Sequence, residues 1–310
     1  METLLPHCTT DHQRKIVLAV AQHGSRRKAA EALGLASSGV IATMATLSQR
    51  AEKKAEDDRG AKRIFVIPDV QAKPNTPLEH LEAAGRYVAE KRPDIIVCLG
   101  DFADMPSLSM FDKGKRAFEG RRYKADIAAA HLAMETLMTP IANAAGYNPK
   151  LILTIGNHEF RITRATESDA MLDGTLGLDD LGYAAWGWQV IPFLEVVEVK
   201  GINFSHYFYN PNSGRPWAGT AHTKLKNIGL SFVMGHQQGI DVATRELPNG
   251  RRQFGIVAGS FYQHHEDYKG PQGNGHWQGC LMLNEAQDGE FDLMQLSLNY
   301  LLRKFGKKAA

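Results

Sequence analysis

Apolar positions near the start of the chain recur at helical spacing. Ile16, Val17, Val20 and Ala21 fall on one face of a helix that Asp11 can cap, and Gly24 ends it. Arg26–Leu33 predicts a second short helix with Ala29, Ala30 and Leu33 inward. Gly34 turns the chain, and Ser37 or Ser38 can cap a third helix through Val40, Ile41, Met44 and Leu47. From Arg63 the period changes. Ile64–Ile67, Ile95–Leu99 and Leu151–Ile155 are short apolar runs separated by helical stretches at Leu78–Lys91 and Asp126–Ala145. That alternation predicts a sheet at least partly parallel and covered on both faces. Val190–Val199, Ile202–Ser205, Phe232–Met234, Phe254–Val257, Trp277–Leu283 and Phe291–Leu298 then read as strands with few long helices, predicting a second sheet packed on the first. The expected organisation is a helical domain over 1–50, a charged linker over 51–62 and an α/β domain over 63–310.

The pattern Ala-Ala-x-x-Leu-Gly followed by a capped helix resembles a helix-turn-helix DNA-binding unit. The resemblance implies phosphate contacts from Arg26, Arg27 and Lys28, with Ser38 and Thr43 among the residues offered to base edges. A helical module that packs on the body or dimerises is the plainer alternative. The stretch from Arg50 to Lys62 carries charge without an apolar face and reads as a solvated helix end or linker.

Composition narrows the classes. Of 310 residues, 43% are hydrophobic and 23% charged, which fits a folded globular chain and excludes a collagen-like or wholly disordered one. Lys and Arg number 36 against 34 Asp and Glu, so any basic patch must be local. No apolar run is long enough to cross a bilayer. Residues 1–15 lack a basic stretch followed by an apolar one, which argues against a secretory leader. Cys8, Cys98 and Cys280 are far apart and form no CxxC pair, so a reducing cytoplasm is expected, with no disulfide framework and no membrane partner.

The candidate chemistry lies where the apolar runs end. Ile64–Pro68 ends at Asp69, Ile95–Gly100 at Asp101, Leu151–Gly156 at Asn157-His158, Ile202–Ser205 at His206 and Phe232–Gly235 at His236. In α/β sheets ligands bind beyond the carboxyl ends of strands, so these ends can converge on one point. The glycines before Asp101, Asn157 and His236 permit tight turns and close approach. Carboxylate, amide and imidazole in such register point to a shared metal centre.

Asp69-Val70-Gln71, Gly100-Asp101-Phe102-Ala103-Asp104, Gly156-Asn157-His158-Glu159, His206 and Gly235-His236-Gln237-Gln238 fall in the order of the motifs D-x-H, GD-x-x-D, GNH-D/E, a lone H and GH-x-H. In this the chain resembles the calcineurin-like metallophosphoesterases, from Arg63 to about Phe261. The resemblance implies an α/β fold, a two-sheet sandwich flanked by helices, behind the small all-α N-terminal domain. It implies two divalent metal ions, manganese first, with magnesium, iron, zinc or nickel as alternatives. Asp101 would bridge them; Asn157, His206 and His236 would complete one; Asp69, Gln71 and Gln238 would surround the other. His158 would face the phosphate as general acid or transition-state donor, oriented by Asp104. A metal-bound hydroxide would attack the phosphorus in line.

Gln71 and Gln238 stand where the family motifs end in His, and both would serve the same metal. An amide oxygen is a harder and weaker donor than imidazole. Such a site could prefer manganese or magnesium, fill only with substrate, or leave an enzyme of one metal. Arg121 and Arg122, in a loop rich in basic residues after Asp104, and Arg161 and Arg164, after His158, are candidate substrate-binding residues. Aromatics near His206 (Tyr207, Phe208, Tyr209, Trp217) and at Phe261, Tyr262 and Tyr268 interleave with basic groups, which suits a nucleic-acid strand. The expected function is a phosphodiesterase or nuclease acting on nucleic acid, DNA ahead of RNA. The alternatives are a phosphomonoesterase on a nucleotide or phosphoprotein, and a DNA-binding regulator keeping a non-catalytic metal fold.

Overall fold

The computed structural model describes residues 2–57, 60–265 and 273–306; Tyr268 and positions 58–59 of the charged stretch lie outside them. The chain divides into two compact units, Met1–Gly60 and Ala61–Ala310.

The first unit is all helical. Helix α1 spans Asp11–His23, α2 Arg26–Leu33 and α3 Ser37–Asp57. Thr10, not Asp11, caps α1: its hydroxyl accepts the N–H of Gln13, while Asp11 is the first helical residue. Ser25 caps α2 through the N–H of Lys28, and Gly34 ends it in the left-handed region at φ 64°. Ile16, Val17, Val20, Ala29, Ala30, Val40, Met44 and Leu47 form the core of this unit. Leu33 and Ile41, read as inward, are exposed, because the burial stripe is narrower than the apolar positions allow. Of the two readings of the charged stretch, helix end or linker, its first part is a helix end, since α3 continues to Asp57.

The second unit is an α/β sandwich of two sheets flanked by helices. The six-stranded sheet has the order β13-β12-β1-β2-β3-β4. Its parallel part is β1 (Lys62–Ile67), β2 (Ile95–Cys98), β3 (Lys150–Thr154) and β4 (Gln189–Ile191). Strands β12 (Gly279–Gln287) and β13 (Glu290–Ser297) extend it antiparallel beside β1. The five-stranded sheet has the order β10-β11-β9-β6-β5, built from β5 (Val197–Val199), β6 (Ile202–Ser205), β9 (Phe232–Met234), β10 (Ile240–Glu246) and β11 (Arg252–Ala258). A small ribbon pairs β7 (Tyr209–Asn210) with β8 (Arg215–Pro216).

Alternation along each strand makes the layers. Ile64, Val66, Val97, Leu99 and Ile152 meet Ile202, Phe204, Val233 and Ile256 between the sheets. Phe65, Ile67, Ile96, Cys98 and Leu153 point the other way, onto α4 (Glu79–Lys91) and α5 (Tyr123–Ala142). Helix α7 (Ala221–Ile228) covers the outer face of the second sheet through Ala221 and Leu225 against Phe232, Met234 and Val257. Among the described residues two further α-helices follow, α6 (Phe160–Ser168) after β3 and α8 (Leu298–Phe305) after β13.

Three sequence expectations change. The run 190–199 is two strands in different sheets, parted around Pro192. The strands near the C-terminus join the first sheet, because β12 has the free edge of β1 as its partner. Strand β10 escaped notice because none of its residues is buried: Ile240, Asp241 and Ala243 are half-buried and the others exposed.

Candidate metal centre

The site forms where β1, β2, β3, β6 and β9 end. Asp69, Gln71, Asp101 and His206 are buried there. Gln71, Asp101 and His236 adopt positive φ of 48°, 48° and 67°, a region that non-glycine residues seldom occupy. Such strain is tolerated where surrounding contacts over-determine the backbone. The contacts here are the Gln71 N–H on the Asp101 carbonyl at 2.7 Å and the His236 N–H on Asp69 Oδ1 at 3.0 Å. Gly156 and Gly235 are required by close approach. A Cβ on Gly156 would run into the Asp101 carboxylate, and one on Gly235 into Asp69 Oδ1.

Asp101, His206 and His236 each bring one donor atom to within 4.8 Å of the others. Asn157 Oδ1 sits among them, 2.9 Å from His206 Nε2 and 2.8 Å from His236 Nδ1. Asp101 Oδ2 is 3.4 Å from His206 Nε2. Neighbouring ligands about 2.1 Å from one octahedral cation lie about 3.0 Å apart, so this spacing suits a shared ion. His206 Nδ1 donates to the Leu99 carbonyl at 2.7 Å, which turns Nε2 to the cluster. Asp69 Oδ2 and Gln71 Nε2 are buried without a hydrogen-bond partner among the described residues. An orphaned buried carboxylate oxygen is costly, and a cation relieves that cost. The residues present therefore fit a metal.

Electrostatics carry the same mark. Burial pushes Asp69 up to about 7, with His206 only partly opposing it. Burial also opposes the charge on Asp101, yet His158 and His206 hold it well below the usual carboxylate range. Burial would lower His206, but Asp101 beside it lifts it to about 9. His236 is pushed down to about 4 by burial and by His206.

His158 stands beside this cluster. Its Nδ1 donates to Asp104 Oδ1 at 2.6 Å, and its Nε2 is 3.6 Å from Asp101 Oδ2. Despite burial, the hydrogen bond from His158 and the charges around Asp104 keep that carboxyl near 2. Lys73 Nζ approaches Asp104 Oδ2 at 3.7 Å. Arg161 is committed to the same loop. It donates to the Asp104 carbonyl at 2.7 Å and to His158 Nε2 at 3.2 Å, so it does not stand free for substrate as expected. Arg121 is likewise engaged, with the Pro106 carbonyl and Asp112. Arg122 and Arg164 are exposed; Arg164 donates to the Asn157 carbonyl at 3.0 Å. In the helical unit Arg26, Arg27, Lys28 and Ser38 are exposed and Thr43 is half-buried, while Arg27 pairs with Glu31.

Two residues to which the sequence reading gave no part in the metal cluster shape the site. Glu159 is buried and accepts the backbone N–H groups of Asp101, Phe102, Ala103 and Gly156 at 2.6–3.0 Å. Its place in the Gly-Asn-His-Glu motif was the available signal. Tyr262 donates to Gln238 Oε1 at 2.8 Å, and the preceding residue, Phe261, donates its N–H to the Asp69 carbonyl. Nothing in the sequence ties Tyr262 to Gln238, because their contact depends on how the loops after β9 and β11 meet.

No helix among the described residues is long and apolar enough to cross a membrane. The gene 54 protein of Mycobacterium phage D29 is 27% identical over 187 residues, 58% of this chain and 71% of that protein. The gene 54 protein of Mycobacterium phage L5 is 25% identical over the same shares of each chain. Among solved structures, the phosphoesterase Yfce from E. coli matches 76% of this chain and 100% of its own at 13% identity, with a TM-score of 0.33. A family model for the calcineurin-like phosphoesterases matches residues 62–289. The chain belongs to that family of metal-dependent enzymes and is a hydrolase acting on phosphoester bonds.

Proposed function

We propose that this hydrolase is a phosphodiesterase or nuclease that cleaves nucleic acid with two divalent cations. The observation that carries the reading is the meeting of Asp101, Asn157, His206 and His236 around one point. Those four would hold one cation; Asp69, Gln71 and Gln238 would hold the other, with Asp101 shared. Bound cations would supply Lewis acidity at the phosphoryl oxygens and a nucleophile at neutral pH. His158, anchored at Nδ1 by Asp104, meets Arg161 at Nε2; to act as donor to a phosphoryl or leaving-group oxygen it would exchange that contact and carry a proton at Nε2. Arg161 holds the Asp104 loop in place, and Glu159 ties the β2 and β3 loops together.

The polymeric substrate is supported by exposed Arg122 and Arg164, by the basic loop beyond Asp104, and by exposed Arg26, Arg27, Lys28 and Ser38 on a helix pair joined at Gly34. A cytoplasmic setting suits the three free cysteines. The test is hydrolysis of bis- and mono-p-nitrophenyl phosphate and of DNA and RNA with manganese, using wild type and His158→Asn. Diester and DNA cleavage that His158→Asn loses is the expected result. Preference for the monoester with nucleic acids untouched would replace this substrate by a nucleotide or phosphoprotein. Binding of DNA with no hydrolysis of any ester would overturn catalysis itself.

A further inference from the structure

The site has two chemically different ends. One gathers nitrogen donors: His206 and His236 flank Asn157 Oδ1 beside Asp101. The other carries only oxygen-bearing side chains: the Asp69 carboxylate and the Gln71 and Gln238 amides. Asp69 Oδ2 is fully buried and has no hydrogen-bond partner among the described residues, and the same holds for Gln71 Nε2. Each of the three is tied to a neighbouring part of the site. The Gln71 N–H donates to the Asp101 carbonyl, the Phe261 N–H to the Asp69 carbonyl, and the Tyr262 hydroxyl to Gln238 Oε1. Tyr262 is itself buried, so Gln238 is held by a fixed donor rather than by solvent.

Imidazole suits zinc, iron, nickel and copper, whereas carboxylate and amide oxygens suit magnesium, calcium and manganese. Hard, neutral amide oxygens also bind transition metals less strongly than imidazole does. The geometry points to an unequal pair of cation positions, the end at Asp69, Gln71 and Gln238 being an exchangeable site for a hard cation, Mg2+ or Mn2+. This rests on the reading that the cluster holds two cations. It also makes the oxygen end the position that a substrate phosphate would help to fill, because a phosphate adds further oxygen ligands there.

The test is metal binding by the full chain after chelator treatment and dialysis, without substrate. Titration with Zn2+ by calorimetry, followed by Mn2+ with electron paramagnetic resonance, reads the two positions separately. One tight Zn2+ is expected, then one Mn2+ bound at least about tenfold more weakly and displaced by excess Mg2+. Gln71→His with Gln238→His is expected to tighten the second Zn2+ by about tenfold or more, since His tolerates the positive φ of residue 71. Gln238→His alone should give a smaller shift in the same direction, and circular dichroism checks that each variant is folded. Two Zn2+ ions of equal affinity in the wild type, or a second Zn2+ unaltered in folded histidine variants, would overturn the unequal pair while leaving a dimetal hydrolase standing. A folded wild type that binds no divalent cation would overturn the underlying reading as well.

Discussion

Glu159 Oε1 accepts the backbone N–H of Phe102 at 2.6 Å. With the N–H groups of Asp101, Ala103 and Gly156 on the same carboxylate, one buried side chain fixes the loops after β2 and β3. Glu159→Gln keeps the shape but replaces one acceptor oxygen by a donor facing backbone N–H groups. It is expected to lose roughly 2–4 kcal/mol of stability, measured by urea unfolding. A change below about 0.5 kcal/mol would mean that the loops hold themselves.

Removing His158, the group proposed to face substrate, separates chemistry from metal binding. His158→Asn is expected to lower kcat on a chromogenic diester by roughly 10²–10⁴ with metal content unchanged. Asp104→Asn removes only the charge that orients the ring, so a loss of roughly 10–100-fold is expected. Elemental analysis beside steady-state kinetics checks both, and equal metal loss in the two variants would contradict the assignment.

Gly156 has no room for a side chain. Because a Cβ would collide with the Asp101 carboxylate, Gly156→Ala must displace either that carboxylate or the loop. Metal affinity and hydrolysis should both fall while the helical unit, Met1–Gly60, keeps its helicity. Unaltered metal binding by calorimetry would show that the turn yields.

His80 gives the fold a source of acid lability. His80 is buried with its Nδ1 on Gln263 Oε1 at 2.9 Å, and burial pushes it down to about 4 despite that partner. The folded state therefore prefers the neutral ring. Its contribution is fully present above about pH 6.5, where the unfolded chain titrates, and is lost as pH falls through about 4. The span corresponds to roughly 3 kcal/mol at most. Urea midpoints of wild type and His80→Gln between pH 7 and pH 4 measure it, and the variant should show the shallower decline. Parallel declines would remove His80 from the account.

Chelation gives the broadest check. Hydrolysis should vanish on treatment with a chelator and return with manganese, while the DNA binding proposed for Arg26, Arg27 and Lys28 should persist. Charge reversal at those three positions should weaken DNA binding and flatten its salt dependence, leaving small-diester hydrolysis unchanged.

The site was legible because its signal is local. Each donor follows an apolar run of strand length, and Asp69, Asp101, Asn157, His206 and His236 can be read from five such endings. Arg161 shows what that reading leaves out. Its proximity to His158 in sequence suggested a free substrate contact, yet the Asp104 and Met105 carbonyls take its guanidinium. A carbonyl some 57 residues away announces nothing in the residues around it. The stretch 190–199 failed for a related reason: apolar patterning says that a strand is buried, not which sheet buries it.

By itself the sequence determined the alternation of strand and helix, the helical unit and the order of the candidate metal-binding side chains, because these depend on spacing along the backbone. Only the tertiary structure decided that Glu159 gathers two loops, that Tyr262 holds Gln238, and that β12 rather than a second-sheet strand lies beside β1. Those outcomes come from competition among buried hydrogen-bonding groups for partners far away in the chain, and spacing carries no record of which partner wins.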